Sequence, residues 1–234
     1  MRISFFFPVY NDEMTVRPMV EIGREVLGRL AEDYEIIIVD DCSPDKSSRI
    51  ADETAAQDEK TRVVHHPENM GYGGALRSGF QSARFEWIFF TDGDMQYDVK
   101  ELERFLPWTA DYDMIVGCKV RRAEGFKRAL YSRLFNLAVR ILIGLPVRDA
   151  NCAFKLIRRE VIESVSVEYP YRESFYLIEL MYKAIRLGYR IKEVPVSHYK
   201  RPYGESSCLS IRSAARHLFY VLRGFMYRIS GRWN

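Results

Sequence analysis

The chain contains 234 residues, of which 47% are hydrophobic and 29% are charged, and its formal net charge is +3. This composition excludes an intrinsically disordered chain, and the length suits one sizeable domain with at most a small appendage. The positive charge is concentrated in residues 121–140 and 201–234, each with six basic residues and one glutamate, and such clustering indicates an anionic ligand or surface.

Short apolar runs alternate with segments of helical apolar spacing over the first half of the chain. Continuous apolar runs predict buried strands, and apolar residues that recur every three or four positions predict helices. In chain order the predictions are a strand over 3–10, a helix over 13–30, a strand over 35–39, a helix over 47–57, a strand over 61–65, a helix over 73–83, a strand over 86–90, a helix over 99–106 and a strand ending over 114–117. This alternation predicts an α/β fold with a mostly parallel central sheet flanked by helices.

The second half of the chain is less regular. Helices are predicted over 126–142, over 175–187 and, with strong amphipathic character, over 209–229. Residues 149–156 are predicted to form a loop or an edge strand, and 190–196 an edge strand because they contain Pro195. The apolar runs are too short for a membrane-spanning helix, and the strand-like start is not typical of a secretory signal.

The four cysteines, Cys42, Cys118, Cys152 and Cys208, match no zinc-binding spacing and no disulfide framework. Reduced thiols in a cytosolic compartment are therefore expected. The basic residues are interleaved with long apolar runs instead of forming a polar groove, which argues against nucleic-acid binding.

Polar clusters follow three of the predicted strands at the points where these strands end. They are Asn11-Asp12-Glu13, Asp40-Asp41 and Asp92-Gly93-Asp94. Ligands of parallel sheets bind beyond the carboxyl ends of the strands, so a binding site is predicted where these clusters converge.

Asp92 and Asp94 are two residues apart, and Gln96 continues the same spacing. Oxygen ligands in this arrangement suit a hard divalent cation such as Mg²⁺ that also contacts substrate phosphates, although a solvated turn is the alternative. Asp40 is the candidate to accept hydrogen bonds from a nucleoside, and a helix cap is its alternative role. The glycine-rich segment 69–75 is interpreted as close packing against a nucleotide-bearing loop, or as a structural turn.

Eight motifs in order carry a resemblance to a known family: PVYND (8–12), VDDCSPD (39–45), NMGYGGALRSG (69–79), TDGDMQ (91–96), GCK (117–119), DANCAFKL (149–156), FYLIEL (175–180) and EVPVSHYKRPYGESS (193–207). Together they resemble the family 2 inverting glycosyltransferases, and among these the polyprenyl-phosphate sugar synthases of the dolichol-phosphate mannose synthase type. The resemblance implies a GT-A fold with a Rossmann-like nucleotide-binding half and a C-terminal amphipathic helix.

The resemblance also implies what the matching residues bind. The nucleotide-binding set is Pro8, Tyr10, Asn11, Glu13, Asp40, Gly71 and Asp92. The metal set, for Mg²⁺ or Mn²⁺ bridging the diphosphate, is Asp92, Asp94 and Gln96. The acceptor-phosphate set is Lys119, Arg128, Arg133, Arg201 and Ser206, with the choice between Arg128 and Arg133 left open.

Two residues depart from the family pattern. Cys42 replaces the usual glycine of a DDGS sequence, so this position must tolerate a Cβ atom. Lys119 replaces the arginine of a GSR triplet, and the two side chains are not equivalent in bidentate phosphate contacts.

The predicted reaction transfers a sugar from a GDP- or UDP-sugar to a polyprenyl phosphate. A phosphate monoester is mainly dianionic near neutral pH and requires cations but no general base. A same-fold alternative transfers the sugar to a saccharide or protein hydroxyl, which would require a base such as Glu179 or, second, Asp149. A non-enzymatic nucleotide-sugar-binding scaffold is the third hypothesis.

The domain prediction is a catalytic domain over 1–207 and a basic amphipathic helix over 208–234. Such a helix suits a membrane interface, or it packs on the core or on a partner chain. Residues 126–142 are a second candidate for membrane contact. The expected location is peripheral, on the cytoplasmic face of a membrane, with a separate membrane subunit and a homo-oligomer left open.

Overall fold

The computed structural model describes residues 1–122, 126–167, 173–203 and 211–233, with side chains except at 121–122, 126–129 and 211–214. The elements in chain order are β1 (Arg2–Val9), α1 (Val16–Leu30), β2 (Asp33–Asp40), α2 (Ser47–Ala55), β3 (Thr61–His65), α3 (Gly71–Ser82), β4 (Trp87–Thr91), β5 (Met114–Arg122), α4 (Phe126–Ala138), β6 (Phe154–Arg158), α5 (Arg159–Ser164), α6 (Phe175–Arg186), β7 (Ile191–His198) and α7 (Ile211–Ile229). Two 3₁₀ turns, Val99–Arg104 and Leu106–Trp108, precede β5, and α4 continues as a π-helical turn over Val139–Ile143.

Within the described part of the chain, one sheet contains seven strands in the order β3-β2-β1-β4-β6-β5-β7. The pairs β3·β2, β2·β1, β1·β4 and β5·β7 are parallel. Strand β6 is antiparallel to both β4 and β5. The predicted α/β class and mostly parallel sheet are thus confirmed, with one antiparallel strand inserted near the middle.

Aromatic residues on both faces of the central strands form the core. Phe5 stacks on Phe89 on one face, with ring centroids 4.9 Å apart. On the opposite face Phe6 lies against Phe90 at 5.3 Å and meets the edge of Phe80 from α3 at 5.0 Å. Because both faces of β1 are covered by helices, its sequence is a continuous apolar run and not an alternating one.

Helix α7 packs on the π-helical turn that ends α4. The Arg228 guanidinium donates hydrogen bonds to the carbonyls of Ile141 and Leu142, at 3.3 and 2.9 Å. Closer to the start of both helices, the hydroxyl of Tyr131 on α4 lies 2.9 Å from Nδ1 of His217 on α7. None of the helices in the described ranges is both long and apolar enough to cross a membrane. The predicted domain boundary at 207 lies in 204–210, outside the described residues.

Three predictions of secondary structure need correction. The predicted helix over 99–106 is a pair of 3₁₀ turns, and Pro107 disfavours α-helical geometry in the residue before it. An edge strand within 149–156 is wrong, because β6 begins at Phe154 and lies between β4 and β5. Helix α5 was not predicted, and its six residues are too few to show a period.

Candidate active site

Three parallel strands deliver acidic residues to the same edge of the sheet. Val9 at the end of β1 pairs in register with Asp40 at the end of β2, and β4 lies on the other side of β1. Gly93 packs so closely on β1 that a Cβ atom there would collide with the Pro8 carbonyl. The glycine therefore lets the turn after β4 lie directly against β1, with an aspartate on each side of it.

Asp12, Asp92 and Asp94 form an acidic cluster at this edge. Burial raises the pKa of Asp94 to about 7, and the charge of Asp92 acts in the same direction. Burial likewise raises the pKa of Asp92, against the opposing hydrogen bond from Tyr72. Burial also raises the pKa of Asp12, although Arg201 opposes the shift. The cluster is thus short of positive charge.

This shortage fits a divalent cation. Among the described residues, no three His, Cys, Asp or Glu side chains surround a common metal position. Mg²⁺, however, is commonly held by one or two carboxylates together with substrate phosphates. Asp92 and Asp94 supply two hard carboxylates whose burial disfavours their charged form, and a bound cation would reverse that effect.

Gln96, the third residue of the predicted metal set, contacts the segment after β7. The side-chain Nε2 of Gln96 donates to the Tyr199 carbonyl at 2.9 Å, and the backbone carbonyl of Gln96 accepts the Tyr199 amide at 2.8 Å. Its backbone amide donates to Oδ1 of Asp94 at 3.1 Å. The side-chain amide therefore ties residues 199–203 to the acidic turn. Its role as a metal ligand stays a prediction.

Arg201 is brought to the acidic cluster by this segment. It forms an ion pair with Asp12, and its Nε lies 3.9 Å from Oδ2 of Asp94. The guanidinium is largely buried, with 19% of the side chain exposed. A cation thus lies beside Asp94, one aspartate of the predicted metal set, and beside Asp12, which lies outside that set.

The predicted nucleoside residues surround the ends of β1 and β2. Tyr10 is exposed, Asn11 has a left-handed φ of 58°, and the Glu13 carboxylate accepts the Lys46 amide at 3.2 Å. The buried Asp40 accepts the Ser43 amide at 3.1 Å and lies 3.0 Å from Nδ1 of His65. Burial acts to raise the pKa of Asp40, but these hydrogen bonds outweigh it and lower the pKa.

Asp41 faces away from this group and caps α3. Its carboxylate accepts the amides of Met70 and Gly71, both at 2.8 Å, and lies 2.7 Å from Nδ1 of His66. The Gly71 amide is thus engaged by the protein itself, and its left-handed φ of 79° favours glycine for this helix start. Tyr72, the next residue, donates its hydroxyl to Oδ1 of Asp92 at 2.7 Å.

Lys119, from β5, forms a separate charged pair with Asp149. Its amide and Nζ lie 3.4 and 3.7 Å from Oδ2 of Asp149. The Asp149 side chain is buried, with 1% exposed, and that of Lys119 is largely covered, with 10% exposed. Asp149 is therefore held next to an ammonium group in a dry environment, a geometry that suits a charge partner better than a general base.

The remaining predicted residues are dispersed. Arg133 is exposed on α4, and Glu179 is buried on α6 with its carboxylate 2.9 Å from Nζ of Lys183. Ser206 and the side chain of Arg128 lie outside the described residues. Asp12 and Tyr72 belong to none of the predicted binding sets. Asp12 lies inside a predicted polar cluster, whereas a tyrosine in a glycine-rich segment carries no comparable signal.

Comparison with protein families adds a match over most of the chain. The model described as Glycosyl transferase family 2 matches residues 4–166. The chain is 31% identical over 204 residues to "Glycosyltransferase AglD" of Haloferax volcanii, covering 84% of this chain and 33% of that protein. It is 28% identical over 220 residues to "Undecaprenyl-phosphate mannosyltransferase" of Micrococcus luteus, covering 88% and 87%.

A third relative is "Undecaprenyl-phosphate 4-deoxy-4-formamido-L-arabinose transferase" of Pseudomonas fluorescens, 29% identical over 212 residues, covering 90% of this chain and 61% of that protein. The chain thus spans about a third of the length of the Haloferax protein and about three fifths of that of the Pseudomonas protein.

Among solved structures, glucosyl-3-phosphoglycerate synthase from Mycobacterium tuberculosis with phosphoglyceric acid aligns with a TM-score of 0.72 at 20% identity, covering 96% of this chain and 80% of that one. The same enzyme with Mn²⁺, UDP-glucose and phosphoglyceric acid aligns with a TM-score of 0.68 at 20% identity and the same coverage. At this identity the likeness establishes the GT-A fold.

Proposed function

Because the chain belongs to glycosyl transferase family 2, we propose that it transfers a sugar, with inversion, from a GDP- or UDP-sugar to a polyprenyl phosphate. The relatives from Micrococcus and Pseudomonas are named for undecaprenyl-phosphate substrates, which favours this acceptor. The single observation that carries the proposal is the buried acidic cluster of Asp12, Asp92 and Asp94 with Arg201 beside it.

The donor diphosphate would lie against Asp94 and Arg201. When bound, Mg²⁺ or Mn²⁺ supplies Lewis-acid stabilisation of the charge that develops on the leaving diphosphate, and Asp92 and Asp94 are the residues that would hold the ion. Arg201 adds a fixed positive charge at the same place, and its burial makes that charge effective. Tyr10, Asn11, Glu13 and Asp40 border the space for the nucleoside.

The acceptor phosphate would be held by Lys119, with help from Arg201. A dianionic phosphate oxygen attacks the anomeric carbon of the sugar while the bond to the nucleotide diphosphate breaks, so no proton has to be removed from the acceptor. Asp149 orients the ammonium group of Lys119, and its role in this proposal is that of a charge partner and not of a general base. Arg128, Arg133 and Ser206 stay in the proposal on the family resemblance alone.

Membrane attachment belongs to the proposal as well. Polyprenyl phosphates extend only in part from a bilayer, so their transferase must lie on the membrane surface. The exposed apolar faces of α4 and α7 are the candidate contact, on the cytoplasmic face where nucleotide sugars are used. A separate membrane subunit or self-association would be additional ways of attachment.

Substitution of Asp94 by asparagine tests the donor site. Asp94→Asn preserves the shape of the side chain but removes the charge that would hold the cation, so kcat/KM is expected to fall about 100-fold or more. The measurement is sugar transfer from a panel of GDP- and UDP-sugars to a short polyprenyl phosphate with Mg²⁺ or Mn²⁺, with the product identified by mass.

Asp98→Asn is the matched control, because the same chemical change is made four residues farther on, where the carboxylate only caps a 3₁₀ turn. Its activity is expected to stay within about twofold of the unaltered protein. Unchanged transfer and unchanged nucleotide affinity in Asp94→Asn would remove the basis of the proposal. Metal-dependent transfer by the unaltered protein would exclude the scaffold hypothesis.

The same assay separates a phosphate acceptor from a hydroxyl acceptor. Lys119→Ala is expected to abolish transfer to polyprenyl phosphate, whereas Glu179→Gln, which removes no group near the phosphate, is expected to retain it. The opposite pattern would favour a saccharide or protein hydroxyl as acceptor, with Glu179 as the general base.

A further inference from the structure

The loop 148–153, between α4 and β6, is held by buried polar groups from several separate elements. Glu193 on β7 accepts the amides of Arg148 and Asp149, at 2.6 and 3.3 Å. On β6 the ammonium of Lys155, which is completely buried, donates to the carbonyls of Ala150 and Cys152. Each contact fixes the loop backbone directly, so two neighbouring regions of the sheet, on β6 and β7, restrain the loop.

Two further groups complete this restraint. The hydroxyl of the buried Tyr97 accepts the Ala153 amide at 3.2 Å. Oδ1 of Asn136, on α4, accepts the Ala150 amide at 3.0 Å, and only 7% of Asn136 is exposed. An amide buried without its acceptor is costly, so Asn136 and the loop are bound to one arrangement.

The function of such a rigid loop follows from what it carries. Asp149 is 1% exposed, and its carboxylate is next to the amide and Nζ of Lys119. The ammonium of Lys119 is a point charge on a flexible stem, so its direction depends on where the Asp149 carboxylate is held. Misplacement of a binding group by about 1 Å can cost about 100-fold in rate.

Helix α4 connects this loop to the outer surface. Asn136 lies on its buried side, whereas Leu134, Leu137 and Ile141 on other faces are more than half exposed. The Ala150 amide is thus hydrogen-bonded to a helix whose other faces expose apolar side chains. Through this contact, the position of α4 and the position of Asp149 are linked.

We propose that Asn136 is a positioning residue for the acceptor phosphate: it holds the Ala150 amide, and thereby sets Asp149 and Lys119, from helix α4. The inference rests on the proposed function, because the role of Lys119 as the phosphate ligand belongs to it. Asn136 itself contacts no substrate in this scheme. Its loss should impair the acceptor side of the site and leave the donor side, on β1 and β4, intact.

The test compares Asn136→Ala with Ser4→Ala in the full chain. Ser4 is also buried, and its hydroxyl bonds to Glu35 and to the amides of Arg84 and Phe85 near the opposite ends of the strands, so this control loses buried hydrogen bonds far from the loop. Asn136→Ala is expected to raise the KM for a short polyprenyl phosphate about tenfold, with the Kd for the nucleoside diphosphate unchanged. Hydrogen–deuterium exchange at the Ala150 amide should accelerate at least tenfold in Asn136→Ala alone.

Several outcomes would overturn the inference. Equal rises in acceptor KM for Asn136→Ala and Ser4→Ala would show a general effect of lost stability. An unchanged acceptor KM with an active unaltered protein would refute the inference and leave the proposed function standing, whereas failure of the unaltered protein to transfer sugar would refute the proposed function itself. If Asn136→Ala does not fold, Tyr97→Phe removes the hydroxyl that contacts Ala153 and Cys152 of the same loop and keeps the aromatic ring. An unchanged acceptor KM in that variant counts against the inference.

Discussion

Tyr72 and Asp92 belong to different elements and meet through one hydrogen bond of 2.7 Å. The Tyr72 hydroxyl donates to Oδ1 of Asp92, so it restrains the rotation of the carboxylate. The second oxygen stays available for the cation that the proposed function requires. Asp41 fixes Tyr72 in turn, because it caps the first turn of α3 through the Met70 and Gly71 amides. Groups that orient a metal ligand in this way typically affect metal affinity.

Removal of this hydroxyl is therefore expected to weaken metal binding. Tyr72→Phe should lower the affinity for Mn²⁺ in the presence of nucleoside diphosphate about tenfold, in line with the loss of other groups that support metal ligands. The measurement is titration calorimetry, with Tyr34→Phe as the matched control because Tyr34 lies near the start of β2, at the opposite end of the strands from the acidic cluster. Equal Mn²⁺ affinities for Tyr72→Phe and the unaltered protein would contradict the role of Tyr72.

Cys42 shows what a departure from the family pattern costs locally. Its φ is 58°, in the left-handed region, where a residue with a Cβ atom is destabilised by about 1–2 kcal/mol. The side chain is exposed, so its bulk is accommodated without a clash. The position therefore has room for a Cβ atom, as expected, and the loss of stability comes from the left-handed backbone conformation.

At the scale of elements, α4 and α7 contact each other, and both carry exposed apolar side chains together with arginines. Among the side chains that the structure describes in this pair, the large exposed apolar ones are Leu130, Leu134, Leu137, Ile141, Leu218, Phe219, Leu222, Met226 and Ile229. Residues 126–148 and 211–234 contain no aspartate or glutamate, and arginines are spread along both. A surface of this charge would repel a second copy of itself and attract anionic lipid headgroups.

The surface is expected to bind anionic vesicles. The double substitution Leu134→Glu and Leu218→Glu should lower the binding to vesicles of phosphatidylglycerol about tenfold or more, because apolar area is lost and two negative charges are added. Co-sedimentation measures this binding, and higher salt should weaken it for the unaltered protein. Leu187→Glu is the control, because Leu187 is as exposed as Leu218, at 60%, but lies after α6. Equal vesicle binding by all variants would exclude this surface as the membrane contact.

At the scale of the whole molecule, Glu35 ties the sheet together near the end opposite to the site. It is 1% exposed, and its carboxylate accepts the Ser4 hydroxyl at 2.7 Å, Nε of Arg62 at 3.0 Å and the Arg84 amide at 2.8 Å. Burial acts to raise the pKa of Glu35, but these donors outweigh it and lower the pKa below its ordinary value of 4.5. The contribution of Glu35 to stability is therefore complete above pH 4.5 and is lost as the pH falls through its lowered pKa.

Glu35→Gln is expected to lower the free energy of unfolding at pH 7 by about 1–3 kcal/mol, since the neutral amide cannot replace a carboxylate between these donors. The difference between the two proteins should shrink as the pH falls below 4.5. Urea unfolding at several pH values measures both effects. Glu53→Gln, an exposed change on α2, serves as the control. A difference that does not depend on pH would contradict the linkage to Glu35.

Much of the nucleotide-binding half could be predicted, because its strands are buried on both faces and appear as continuous apolar runs. The predicted ends of β1, β2 and β4 agree with the structure to within a residue, and with them the edge at which the acidic clusters meet. The prediction failed for β6, since a short strand with the buried Lys155 does not have the pattern of a central strand.

Fold class, family resemblance and the position of the acidic turn follow from the amino-acid sequence alone, because they depend on local periodicity and on the order of short motifs. Three contacts are visible only in the folded chain: Arg201 pairs with Asp12, 189 residues away, Tyr72 binds Asp92, and Asn136 binds the loop that carries Asp149. Such contacts depend on the packing of elements that are distant in the chain, and a single side chain carries no periodic signal of the partner that it will meet.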